Sequence, residues 1–230
     1  MNVCIAVAHQ LELAPFLSRF PRYETLQTGH GKLFRLEWDD LILHVIRTGI
    51  GLDNARNSLL AVMESGRQSG AGQAPDLLLN FGTCGAIHPE RKVGDLVVGT
   101  RTTRDYHLNT LRKLDAGWGE RFAGYLRKAK IRYVTGTIYS TDRAVASRQV
   151  RREIYQRTNA QVVDMESSSL AEVADTESLP FLSVKYVSDN ADEFVMKDFL
   201  ANIEDATAEL SRIIYGFVES LGQEAKHPAP

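Results

Sequence analysis

Residues 3–8, VCIAVA, offer no charged or strongly polar side chain to either face of an extended chain. A strand of that kind needs cover on both faces of its sheet. The pattern recurs in DLLLNFG from Asp76 and in FLSVKYVSD from Phe181, and shorter strands are expected in KVGDLVVGTRT, in GTIYST near Gly136 and in QVVDM. LFRLEWDDLILHVIRTG reads as a hairpin turning at Asp39-Asp40. Helical segments lie between the strands: LELAPFLSRF; GLDNARNSLLAVMESGRQSG, with Ala55, Leu59, Val62 and Met63 on one face; the start of a helix at SSSLAEV; and a long helix from about Leu200 to Leu221.

Strands alternating with helices predict an α/β fold, with a mixed, largely parallel central sheet flanked by helices on both faces. The softest segment, GRQSGAGQAP at 66–75, falls where a helix-to-strand loop belongs. One domain is therefore expected over residues 1–222, with 223–230 a flexible tail. A formal charge of −2 gives no electrostatic reason to expect nucleic acid or an anionic membrane as partner. No apolar run is long enough for a membrane span. The first sixteen residues lack a basic region and contain Glu12, unlike a signal peptide. Cys4 and Cys84 form no CxxC and sit in apolar surroundings, as buried free thiols of a cytoplasmic protein would. The six histidines share no metal-binding spacing, so neither a metal nor a cofactor is expected.

Chemistry enters where the strands stop. AHQLE, TGIG, NFGTCGA, VVDME and KYVSDNAD each end a strand in small residues or carboxylates. Three acids, Glu12, Glu166 and Asp189, are thereby expected along one edge of one sheet, where α/β folds bind ligands. Each feature also has a plain structural reading. Asp164 and Glu166 suit a helix N-terminus, Asp189 suits an N-cap or Asx turn, and Glu12 suits a solvated helix. TGIGLDNA at Gly49 and Gly51 reads as a tight strand-to-helix turn, since Asn54 stands where a dinucleotide fingerprint needs its third glycine. GTCGA at Gly82 could be a second such turn.

Taken in order and spacing, TGIG, NFGTCGAI…KVGDLVV, VVDME and VSDNAD resemble the nucleoside phosphorylase superfamily, and within it the methylthioadenosine/S-adenosylhomocysteine nucleosidases. The resemblance covers Val3 to about Leu221. It implies hydrolysis of the N-glycosidic bond of a 5′-substituted adenosine, with release of adenine. Asp189 is then the acid that protonates the purine, Glu12 activates water, and Glu166 accepts hydrogen bonds from the ribose hydroxyls. Met165 packs on the sugar, and Val145, Thr83, Cys84 and Gly85 surround the substrate. Phosphate-dependent cleavage and an inactive nucleoside-binding module are the alternatives. Family phosphorylases carry arginines after strand one and before the GT turn; here those places read AHQLEL and Asn80, although Thr83 and Arg47 are still candidates to hold phosphate. Ala144, His9 and about Met196 stand where the nucleosidases carry an aromatic, a methionine and an aromatic, which bears on the 5′ substituent and leaves room for a futalosine-type compound. The resemblance also implies a homodimer or larger homo-oligomer, with residues near Tyr106-His107 reaching a neighbouring site.

Overall fold

The computed structural model describes residues 1–27, 30–38, 40–68 and 74–226. Its elements run β1 (Asn2–Val7), α1 (Gln10–Leu17), β2 (Glu24–Gln27), β3 (Lys32–Trp38), β4 (Leu41–Arg47), α2 (Leu52–Gln68), β5 (Leu77–Ala86), β6 (Leu96–Thr103), β7 (Arg112–Lys113), α3 (Ala116–Lys128), β8 (Val134–Ser140), α4 (Arg148–Thr158), β9 (Val162–Asp164), α5 (Ser167–Glu177), β10 (Phe181–Asp189) and α6 (Val195–Lys226). The strands form one sheet in the order β10-β6-β8-β9-β5-β1-β4-β3-β2, with β7 beside β6.

Strand alternation divides the core. Val3, Ile5 and Val7 of β1 pack in one apolar cluster with Phe16 of α1, Phe122 of α3 and Ile214 and Phe217 of α6. Cys4 and Ala6 belong to a second cluster with Ala55 and Leu59 of α2 and Leu170 and Val173 of α5. Successive residues of a strand point to opposite faces, so a wholly apolar β1 is what a sheet covered on both sides requires.

Two features differ from expectation. β10 pairs with β5 as well as with β6, which closes β5, β10, β6, β8 and β9 into a ring. A small apolar cluster of Cys84, Ala86, Val97, Ile138, Val162 and Val187 draws on all five of those strands. Nor is the sheet largely parallel: among the described residues five pairings are parallel and five antiparallel. The hairpin strands and β7 supply antiparallel ladders, and closing the ring forces two more, β10–β6 and β5–β9. The hairpin is formed as expected, although Asp39 of its turn lies outside the described residues, as do residues 69–73 of the soft loop. The last helix continues to Lys226, so residues 223–226 are helical where a tail is expected; 227–230 lie outside the described residues. Among the described residues no helix is long and apolar enough to cross a membrane.

Candidate active site

Glu12 owes its position to a capping box. His9 caps α1 through Nδ1, which accepts from the Leu11 N–H at 3.1 Å. The Glu12 side chain returns to the N-cap, its Oε2 accepting from the His9 N–H at 3.1 Å. Its Oε1 reaches β5, accepting from the Thr83 N–H at 2.7 Å and the Thr83 hydroxyl at 2.8 Å. Glu12 is buried, so the solvated-helix reading does not hold for it. The approach to β5 is possible because residue 82 is glycine; a Cβ there would stand 3.0 Å from Glu12 Oε1. A carboxylate offers about four lone-pair sites. Three donors occupy three of them, which leaves one for a water molecule.

At the seam between β9 and α5 the two acids divide the work. Asp164 serves the helix: its Oδ2 accepts from the Ser167 N–H at 3.1 Å and from the Ser167 hydroxyl at 2.5 Å. Its Oδ1 accepts from the Ser140 hydroxyl at 2.6 Å. Lys185 Nζ lies 2.8 Å from Asp164 Oδ2, and both side chains are wholly buried. Burial alone would push the Asp164 carboxyl up, but the Lys185 ammonium and the Ser140 and Ser167 hydroxyls hold it below its ordinary value. Glu166, the N-cap residue itself, makes no side-chain cap bond. Instead its Oε1 accepts from the Gly51 N–H at 2.9 Å, and its Oε2 from the Met165 N–H at 3.3 Å. Gly51 has φ +104°, in the region that favours glycine, and this turn is what aims its N–H at the carboxylate. Burial, then the nearby Asp164 charge, pushes the Glu166 carboxyl up to about 7.

Asp189 is set by register. β10 pairs with β5 as Val187↔Cys84 and then as Asp189↔Gly85, skipping Ser188. Such an irregularity re-aims a side chain, and here it brings Asp189 opposite a glycine. A Cβ at residue 85 would lie 2.8 Å from Asp189 Oδ1. That oxygen accepts from the Ala191 N–H at 2.9 Å, an Asx turn, while Ser188 Oγ sits 2.9 Å from Oδ2. Burial raises the Asp189 carboxyl above its usual range, and the charges of Asp198 and Asp192 add to the effect. GTCGA is therefore no turn: it is the end of a continuous strand whose two glycines admit two carboxylates.

The three acids line one cavity of about 280 Å³. Met165, Val145, Thr83, Cys84 and Gly85, all expected at the site, line it too, with Ala8, His9, Ile50, Thr141, Ala144, Val163, Val195, Met196 and Phe199. Burial holds the Cys84 thiol well above its ordinary value, so this thiol is no nucleophile. Among the described residues no lysine or arginine lines the wall. Arg47 instead donates to Gln10 Oε1 at 3.1 Å, and Asn80 is buried, donating to the Ala6 carbonyl. Among the described residues no cluster of His, Cys, Asp and Glu could hold a metal ion. Sequence reasoning missed Phe199. It lies one helical turn beyond Met196 in α6 and supplies an aromatic wall where Met196 was read as its replacement. It missed the Asp164–Lys185 pair as well.

Known proteins are similar to this chain in sequence and fold. A family model described as the phosphorylase superfamily matches residues 2–219. The 5′-methylthioadenosine/S-adenosylhomocysteine nucleosidase of Desulfotalea psychrophila is 24% identical over 237 residues, covering 96% of this chain and 98% of the relative. That of Staphylococcus aureus is 22% identical, covering 93% and 97%. The solved Helicobacter pylori nucleosidase of the same description, holding a pyrrolopyrimidine-bearing pyrrolidinol, superposes with TM-score 0.86 at 20% identity over 96% of this chain and 98% of that one. Helicobacter pylori futalosine hydrolase gives the same score, identity and coverage. A match of this extent to the family model shows that the chain belongs to the phosphorylase superfamily.

Proposed function

We propose that the protein is a purine nucleosidase that hydrolyses the N-glycosidic bond of a 5′-substituted adenosine and releases adenine. The observation that carries this reading is the convergence of Glu12, Glu166 and Asp189 on one cavity whose wall, among the described residues, contains no lysine or arginine. A phosphate dianion beside Glu12 would meet a carboxylate and no wall-lining cation, since the buried Lys185 is paired with Asp164. A water molecule there meets the one acceptor site Glu12 leaves free. The curated relatives named above are nucleosidases of this substrate class.

The residues fit the steps of such a cleavage. Asp189, whose carboxyl burial raises above its usual range, is placed to donate a proton to N7 of the purine, which turns the base into a good leaving group. The bond breaks through an oxocarbenium-like state. Glu166 has two lone-pair sites beyond those taken by Gly51 and Met165, enough for the two ribose hydroxyls, and its negative charge favours the cationic sugar. Met165 packs against the ribose. Glu12 then takes a proton from water as the water attacks the anomeric carbon. Val145, Cys84 and Gly85 border the base.

The enzyme is read as one domain over 1–222 working in the cytoplasm as a homodimer or larger homo-oligomer. The oligomer is supported by exposed Leu11, Phe194 and Leu200, each next in sequence to a cavity-lining residue, and by the cavity-lining Ile50 and Met196, which are exposed too; light scattering tests it. For the activity itself, the protein is incubated with methylthioadenosine, S-adenosylhomocysteine and adenosine in phosphate-free buffer. Adenine release is expected; no release until phosphate is added would reject hydrolysis.

A further inference from the structure

The polar groups of the cavity are not all used by bond cleavage. Across the sheet edge, Thr141, Ala144, Val145 and Val163 lie at the β8–β9 end with Asp189, while Glu12, Thr83, Met165 and Glu166 frame the middle. If the base lies by Asp189 and the sugar between the two glutamates, the 5′ group lies at the remaining end, where β1 and β4 finish. That end is built from Ala8, His9 and Ile50. Among the described residues His9 is its one strongly polar side chain.

The imidazole there has a fixed orientation. Nδ1 is turned to the helix and accepts from the Leu11 N–H, so the neutral ring carries its proton on Nε2. Nε2 has no hydrogen-bond partner among the described residues. The capping box locks the same residue through its backbone, since the His9 N–H donates to Glu12 Oε2. A donor held in place at an otherwise apolar end of a cavity selects a ligand that brings an acceptor.

We propose that His9 is a specificity-determining residue that favours nucleosides whose 5′ position carries an oxygen acceptor, a hydroxyl or a carboxylate, over those with a bare methyl or a thioether. Thioether sulfur is a weak acceptor and leaves Nε2–H unpaired. The inference rests on the nucleosidase reading for the placement of the sugar.

The test compares adenosine with 5′-deoxyadenosine, which differ only in the 5′ oxygen, in the wild type and in His9→Asn. Asparagine keeps the N-cap acceptor but is too short to present a donor at the Nε2 position. The wild type should favour adenosine in kcat/KM by about tenfold, the worth of one net hydrogen bond, and the variant should bring the ratio near one with an unchanged melting temperature. His9→Met gives the same readout if the asparagine variant folds poorly. Adenine release from both nucleosides at a ratio that neither substitution alters overturns the role of His9 and leaves hydrolysis standing. If the wild type releases no base from any nucleoside, the hydrolytic reading fails instead. Calorimetry with the same pair then decides, because the same loss of discrimination must appear in Kd.

Discussion

Glu166→Gln separates the electrostatic cost of the site from its use. The carboxyl sits at about 7 in the folded chain against an ordinary 4.5. Between those values the folded chain holds a proton that the unfolded chain has released, so stability falls as pH rises through this window. Each pH unit of the gap corresponds to about 1.4 kcal/mol, which places the cost near ~3 kcal/mol above pH 7. Glutamine has the same shape and no charge. It keeps an oxygen for the Gly51 N–H but offers no acceptor to Met165, a loss of about 1 kcal/mol. The variant should therefore be more stable than the wild type by ~2 kcal/mol at pH 8 and about as stable as the wild type at pH 5, where the ~0.8 kcal/mol already lost by the wild type offsets the missing hydrogen bond. Urea unfolding of both proteins at the two pH values gives the four numbers. Because only residue 166 differs, other titrating groups cancel to first order. Adenine release should fall sharply even as stability at pH 8 rises, the trade expected of a strained functional group. The same stability difference at pH 5 and pH 8 would refute the claim that burial and Asp164 hold this carboxyl up.

Other outcomes follow from single contacts. Asp189→Asn should lower kcat by about 10²–10⁴, the range for a lost general acid, with the melting temperature nearly kept; wild-type turnover would put the acid elsewhere. Gly85→Ala places a Cβ 2.8 Å from Asp189 Oδ1 and 3.0 Å from the Ala191 Cβ, so kcat should drop by roughly tenfold or more while circular dichroism stays native. Lys185→Met strands the buried Asp164 carboxylate, and denaturant unfolding at pH 7 should show a loss of about 3–5 kcal/mol.

How much of this could be read from the sequence depends on where each signal resides. β1, β5 and β10 were legible because a doubly covered strand must be apolar throughout, and the chain writes that constraint in consecutive residues. α4 left little trace: of its eleven residues only Ile154 and Thr158 are buried, too few to mark an apolar face. β7 has two residues and no pattern at all. The even split of parallel and antiparallel pairs and the closed ring depend on partners far apart in sequence. The strand-end rule found all three acids. It could not say that Asp189 reaches its place by a skipped residue, because register belongs to the pair β5–β10 and not to either strand. At the β9–α5 seam, capping and binding competed for one explanation. The structure needs both, with Asp164 holding the helix and Glu166 free of it. Lys185 reads in sequence as the odd cation of an apolar strand, and nothing local names Asp164, twenty-one residues earlier, as its counter-charge.

Hydrolysis requires water, held by Glu12, as the nucleophile. Reaction in ¹⁸O-labelled water with phosphate present, followed by mass spectrometry of the sugar product, tests that directly. The label should appear in a free sugar at the anomeric carbon, with no sugar phosphate formed. An unlabelled sugar 1-phosphate as the main product would contradict it.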